Sequence, residues 1–333
     1  MHTLTHQHQH QRTTALRRAA VRATLAPSVH NTQPWRFILR PNELEIYTDP
    51  SRQLRELDPT GRQLIVSCGC ALFNARAALA SSGHTVVVER YPDPGQPNLA
   101  ARLTATEPTN GVVDPIVALD AAIELRQTNR RRFSDDDVPA ELIALLEAAV
   151  HEEGAVLRVI RGEDERQTVA MLCQRADAIE NLSPAYRAEL RAWTTDDPRR
   201  TDGVPAMAVP HVDGTAQDDI PIRDFDTHGA GWLPAETHSS RHQCLLLLGT
   251  AGDNPDNWLR AGEALERALL EIARHGFAAS PLTQVVEVAA TRAALRSELS
   301  LSMHPHVLLR VGRAPMTPSP RRRRLVDVLD EQS

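Results

Sequence analysis

The sequence predicts an α+β fold built as two related halves. Three observations carry that expectation. Helical and strand periods are interleaved along 333 residues, a length natural for two domains of ordinary size. A stretch of turn formers, 107–115 with Pro108, Asn110, Gly111 and Pro115, divides the chain. A helix–loop–strand arrangement recurs on either side of it. Ala26-Pro27-Ser28-Val29-His30 precedes a strand at Arg36 to Leu39, and Glu147-Ala148-Ala149-Val150-His151 precedes one at Leu157 to Ile160, an offset of 121 (147 against 26). The expected halves are 13–110 and 116–333, with 1–12 as a disordered tail.

Residues 13–26 place Leu16, Ala19, Ala20, Ala23 and Leu25 on one side of a helix and arginines on the other. Pro27 and Ser28 end it. Trp35 to Leu39 and Glu43 to Thr48 read as a hairpin about Pro41-Asn42. Residues 60–82 carry Ala, Leu, Ile and Cys through their length and predict a long buried helix that Gly83 caps. Strands follow at Val86 to Val88 and at Leu99 to Thr106. In the second half the pattern predicts helices at 116–127, at 139–150 with Pro139 in the first turn, at 164–181, at 184–193 and at 258–275. Strands are expected at 155–161, 245–248 and 306–311. Residues 194–236 are rich in Asp, Pro, Gly and Thr and show little periodicity. They are too long for a simple connection and are expected to form a lid.

Composition excludes several function classes. A net charge of -6 argues against a general nucleic-acid binder. No apolar run of the roughly 18 residues needed to span a bilayer is expected, and no secretory signal precedes the first helix. Cys68, Cys70, Cys173 and Cys244 form no CxxC pairs, which suits a reduced cytoplasmic protein; Cys68 and Cys70 are expected in the core. His2, His6, His8 and His10 lie in the tail, and His304 and His306 flank Pro305 without metal spacing, so no metal site is expected. No Walker loop, GxGxxG or GxSxG occurs.

Four segments carry chemistry. Pro27-Ser28-Val29-His30-Asn31-Thr32-Gln33-Pro34-Trp35 is stiffened by two prolines and offers short donors and acceptors. It suits a flat heteroaromatic ring, and it also reads as a turn between helix and strand. Arg126-Gln127-Thr128-Asn129-Arg130 offers two guanidiniums and a hydroxyl, groups that grip phosphate oxygens; a basic helix end complementing the dipole reads the same way. Val311-Gly312-Arg313 leads to the basic run Arg321-Arg322-Arg323-Arg324. Gly276 to Gln284 follows a long helix and holds Ser280, Pro281 and Leu282.

The first of these resembles the flavin loop P-S-x-x-N-x-Q-P-W of the FMN-dependent nitroreductases, at six positions in nine. Residues 126–130 fit that family's R-x-S-x-R with Thr128 for Ser. The resemblance implies an FMN contacted by Pro27, Ser28, Asn31, Gln33 and Trp35. It places Arg126, Thr128 and Arg130 at the ribityl chain and phosphate, Ser280, Pro281 and Leu282 by the reactive edge, and Arg321 and Arg322 in a phosphate clamp. Family members are usually intertwined homodimers whose loop is lent by the partner. Here each motif occurs once and the loop comes first. Ala148, Ala149, Glu152, Gly154 and Ala155 stand where a second loop would be. The resemblance therefore implies a fused dimer, a monomer with one surviving flavin site, similar to the Acg family of actinobacterial, dormancy-associated nitroreductase-like proteins. Two functions follow from it. One is hydride transfer from NAD(P)H through flavin to a nitro compound or quinone, with the flavin carrying the chemistry and no catalytic side chain. The other is FMN storage or sequestration under a cover, with little turnover.

Overall fold

A computed structural model describes residues 2–107, 114–195, 197–210, 220–225 and 243–332. Most of the expected linker, and 211–219 and 226–236 of the expected lid, lie outside the described residues. The first half runs α1 (His2–Thr24), β1 (Trp35–Leu39), β2 (Glu43–Thr48), α2 (Arg62–Ser81), β3 (Thr85–Arg90) and β4 (Leu99–Thr106). The second begins with α3 (Ala122–Leu125), α4 (Ala140–Glu152), β5 (Val156–Val159), α5 (Glu163–Asn181) and α6 (Pro184–Ala192). The short strands β6 (Thr194–Thr195) and β7 (Val204–Pro205) fall in the excursion. Then come β8 (Cys244–Thr250), α7 (Pro255–Arg274), β9 (Ala278–Leu282), α8 (Gln284–Glu287), α9 (Ala289–Glu298), β10 (His304–Gly312) and β11 (Leu329–Glu331).

The two main sheets share one topology. Their orders are β11-β1-β2-β4-β3 and β5-β8-β10-β9. Leaving β11 aside, each half's strands lie first-second-fourth-third, and every neighbouring pair is antiparallel. The long helix between second and third strands is α2 in one half and α7 in the other. These helices cross where Gly69 meets Gly262. A Cβ on Gly69 would lie 2.1 Å from the Leu259 carbonyl oxygen, and one on Gly262 would lie 2.1 Å from that of Val66. Each glycine thus faces the carbonyl three residues ahead of the other, as in an isologous contact. The crossing pairs residues of α2 and α7 at an offset of 193 (262 against 69).

Three sequence expectations are corrected. The tail expected to be disordered over 1–12 is helical where it is described: α1 begins at His2, and Gln9 donates to the Pro41 carbonyl while Arg12 bonds Asn42 and Glu107. These long-range polar contacts have no period to read. Among the described residues, α2 alone has the length and hydropathy to cross a bilayer, contrary to the expectation of no such run; its apolar surface is instead packed against α1, α7 and the first sheet. The helix expected at 116–127 is a 3-10 turn, Pro115–Leu119, followed by α3, and the chain is extended at Arg126. Residues 278–282 form β9, an edge strand, where Pro281 is tolerated.

The C-terminal segment returns to the first half. There β11 lies parallel to β1, with Phe37 opposite Leu329.

Candidate flavin site between the halves

The loop after α1 is held in an uncommon conformation. His30, Asn31 and Gln33 have φ of 47°, 54° and 50°, a left-handed region that costs non-glycine residues free energy unless the surroundings impose it. Here they do. The Ser28 hydroxyl accepts from the Gln33 amide at 2.9 Å. Asn31 Nδ2 donates to the carbonyls of Gly203 and Arg321 at 3.0 and 3.1 Å. Gln33 Nε2 donates to Thr201 O at 2.8 Å, and its Oε1 accepts from the Arg323 amide at 2.7 Å.

Beside this loop lie two adjoining chambers. The larger encloses about 820 Å³, part of it open to solvent, between the loop, α2, α7 and the β9 segment. Ser28, Val66, Ser67, Leu265, Leu269, Ser280, Pro281 and Leu282 are on its walls. The smaller, about 540 Å³, is lined by Asn31, Arg126 and Arg322. Pro27, Ser28, Thr128 and Arg130 border both. Thr128 is fixed by a bridge to Ala279, and Asn129 N donates to Ala279 O at 2.9 Å.

The small chamber is cationic. Arg126 and Arg322 both donate to the Leu25 carbonyl, at 3.3 and 3.4 Å. Arg322 also bonds Asn31 Oδ1 at 3.0 Å. Arg126 Nε lies 3.5 Å from Glu266 Oε1, yet neither guanidinium's Nε makes a hydrogen bond. Burial pushes the Glu266 carboxyl up to about 7 against the pull of Arg126. Burial and the neighbouring Arg126 push Arg322 down to about 9. Two inward-turned guanidiniums thus face one carboxyl whose charged form burial disfavours, which is the donor set an organic phosphate fits.

The large chamber has a different character. Arg130 stacks over Phe225, 4.7 Å from the ring centroid, and burial, then Arg223, pushes it down to about 10. Arg223 bonds Tyr186 Oη at 2.6 Å, approaches His30 Nε2 at 3.2 Å and pairs with Glu287. Burial, then Arg223 and Arg130, holds His30 well below the usual histidine range, so it is neutral. A guanidinium only donates, so Nε2 accepts and the proton sits on Nδ1, a buried donor with no partner.

The structure brings together Pro27, Ser28, Asn31, Arg126, Thr128, Arg130, Ser280, Pro281, Leu282 and Arg322. Three others lie elsewhere. Trp35 is fully buried and stacked on Phe37 because strand alternation turns it to the core. Gln33 is buried in contacts to the chain itself. Arg321 is exposed and contributes only its carbonyl, while Arg322 turns inward. Sequence reasoning missed His30, Arg223, Phe225 and Glu266. Glu266 left a signal: a carboxylate on the apolar face of α7. Arg223 and Phe225, in the aperiodic excursion, left none. Ile222, Arg223 and Phe225 wall the large chamber, and Gly203, Val204, Pro205 and Ala208 wall the small one.

The mirror position is filled. The 193-residue offset matches Cys70 and Leu269, both on the cavity wall, with Glu263 and Arg76. There Arg76 bonds Glu263 and Glu153 at 2.7 and 2.5 Å, Arg90 bonds Glu263 at 2.7 Å, and Arg267 bonds Glu153 at 2.8 Å.

No family model matches the chain. "Putative NAD(P)H nitroreductase Rv3131" of Mycobacterium tuberculosis is 38% identical over 312 residues, covering 90% of this chain and 87% of the relative. "Putative NAD(P)H nitroreductase acg" of the same organism is 29% identical over 309 residues, 92% of each chain. Among solved structures, the FMN and NADPH-dependent nitroreductase NfnB from Sphigopyxis sp. strain HMH aligns with a TM-score of 0.41 and 18% identity, over 65% of this chain and 99% of its own. At the identity and coverage of the first relative, the chain belongs to the NAD(P)H nitroreductase family of these mycobacterial proteins.

Proposed function

We propose that this chain binds one FMN across the two chambers and serves as an NAD(P)H-dependent oxidoreductase acting on nitro compounds or quinones. The observation that carries it is the pair of inward-turned guanidiniums, Arg126 and Arg322, in a chamber that adjoins a larger one walled by Val66, Leu265 and Leu269. When bound, FMN supplies two-electron hydride chemistry. The chain's part is to bind and orient. Arg126 and Arg322 grip the phosphate, and Ser28 and Thr128 offer hydroxyls where the chambers join. The His30 Nδ1–H, Arg130 and the Ser280 segment would offer polar contacts to the ring, and Leu265 and Leu269 would offer apolar ones. Both walls come from one polypeptide, so a monomer suffices and acts as a pseudo-dimer. The filled mirror position supports one FMN per chain.

Gly203, Val204, Pro205 and Ala208 wall the small chamber and Ile222, Arg223 and Phe225 the large one, which favours a second reading: a protein that holds flavin with little turnover. Anaerobic stopped-flow mixing of the FMN-loaded chain with NADPH and with NADH separates the two. Rapid bleaching of the flavin absorbance is expected. A chain that binds FMN but bleaches with neither nucleotide is a holder, not a reductase.

A further inference from the structure

A second concavity lies on the far side of the Arg223–Glu287 pair, since Arg223 lines the larger flavin-site chamber and Glu287 lines this one. It is a wide basin of about 1340 Å³, open solvent included, between the turn before α2 and the face of α9. Three carboxylates and three guanidiniums border it, and their pairing is unequal. Asp253 is engaged by Arg292, with bonds of 2.7 and 2.9 Å, and by the Trp258 indole at 2.7 Å. Glu287 is engaged by Arg223 from behind. Asp58 accepts from the Leu64 amide at 2.9 Å.

Arg62 and Arg296 are left over. Arg62 is 8% exposed and reaches only a carbonyl, that of Val286. Its Nε is buried without a partner, and it makes no ion pair among the described residues. Burial, then Arg292, pushes it down to about 10 against the pull of Asp58, Asp253 and Glu287. Arg296 stands exposed at the mouth, beside Ala293 one turn of α9 earlier and near His304. Asp58, Asp253 and Glu287 counter the Arg62 charge only through space, and a buried guanidinium donor left without an acceptor is costly, so a ligand that brings an acceptor oxygen to it recovers part of that cost.

We propose that this basin is a second binding site, separate from the flavin cavity, for a small organic anion whose phosphate or carboxylate group is met by Arg62 and Arg296. The apolar floor, with Leu57, Leu301 and Pro305, takes the rest of the molecule.

Isothermal titration of the full chain with inorganic phosphate and with succinate tests the site, each with and without saturating FMN. Saturable uptake that persists with FMN is expected. Arg296→Gln should weaken it about tenfold or more, the value of one charge-assisted contact, and Ala293→Trp should block it by filling the basin. Both positions are exposed, so neither change threatens folding. Arg126→Gln should leave it unchanged. Tighter phosphate uptake assigns a phosphate ester, and tighter succinate uptake a carboxylate. Uptake indifferent to both basin changes, uptake lost with Arg126→Gln, or no saturable uptake of either probe overturns the site. A chain that takes no FMN would refute the function proposed above and leave this titration able to succeed or fail by itself.

Discussion

Arg322 and Arg321 are neighbours with opposite fates, and the difference is measurable. Arg322→Ala removes an inward-turned guanidinium from the small chamber and should weaken FMN binding by about 1.5–3 kcal/mol, roughly ten- to a hundredfold. Arg321→Ala should leave it within twofold of the parent, since that side chain is exposed. Quenching of flavin fluorescence on titration reads both. Glu266 carries a pH signature. Its carboxyl titrates at about 7 in the fold, against an ordinary value of 4.5. The folded chain therefore holds this proton more tightly than the unfolded one. The stability it contributes is full below pH 4.5 and is lost as pH rises through 7, an effect on the order of 3 kcal/mol. Urea denaturation of the flavin-free chain at pH 5 and pH 8 checks this. The stability of the parent relative to Glu266→Gln should fall between the two, and a constant difference refutes the assignment. Much of the site was legible at this scale because Ser28, Arg126, Thr128 and Arg130 lie in short linear motifs. Trp35 was misplaced because the strand's alternation, not the motif, decides which way it faces. His30 was missed because its partner Arg223 lies 193 residues away.

The crossing of α2 and α7 turns on two missing side chains. A methyl group at Gly69 would fall 2.1 Å from a backbone oxygen, so the helices must part. Gly69→Ala and Gly262→Ala should each cost about 1–3 kcal/mol or more, the range for overpacking. Both methyls push on the same contact, so the double change should cost less than the sum of the singles. Thermal or urea denaturation of the three variants decides it, and strict additivity would show that the helices do not share one contact. The sequence predicted both helices from their apolar runs. It could not show that they meet at glycines, because a crossing is a relation between segments far apart in the chain. For the same reason β9 and α9 went unread: the first is short and holds Pro281, and sheet pairing rather than propensity makes it a strand.

The whole molecule is asymmetric in charge about a symmetric frame. One of two equivalent places is a cavity, and the other is packed with Arg76, Arg90, Arg267, Glu153 and Glu263. Flavin absorbance against protein concentration should therefore saturate at one FMN per chain, and a ratio near two would show that the ion network yields to a second flavin. The duplication was faintly legible in the helix–loop–strand recurrence at 26 and 147; the identical strand orders were not, since they depend on which strands pair. The return of the C-terminal segment has a consequence for biosynthesis. Arg322 bonds Asn31 across 291 residues of chain, and β11 completes the sheet that β1 begins. Translation delivers the loop early and its closing arginine late. A nascent chain stopped anywhere before residue 322 presents the loop without its clamp. FMN uptake is therefore expected to await synthesis past residue 322, and products that stop before it are expected to stay colourless where longer ones turn yellow.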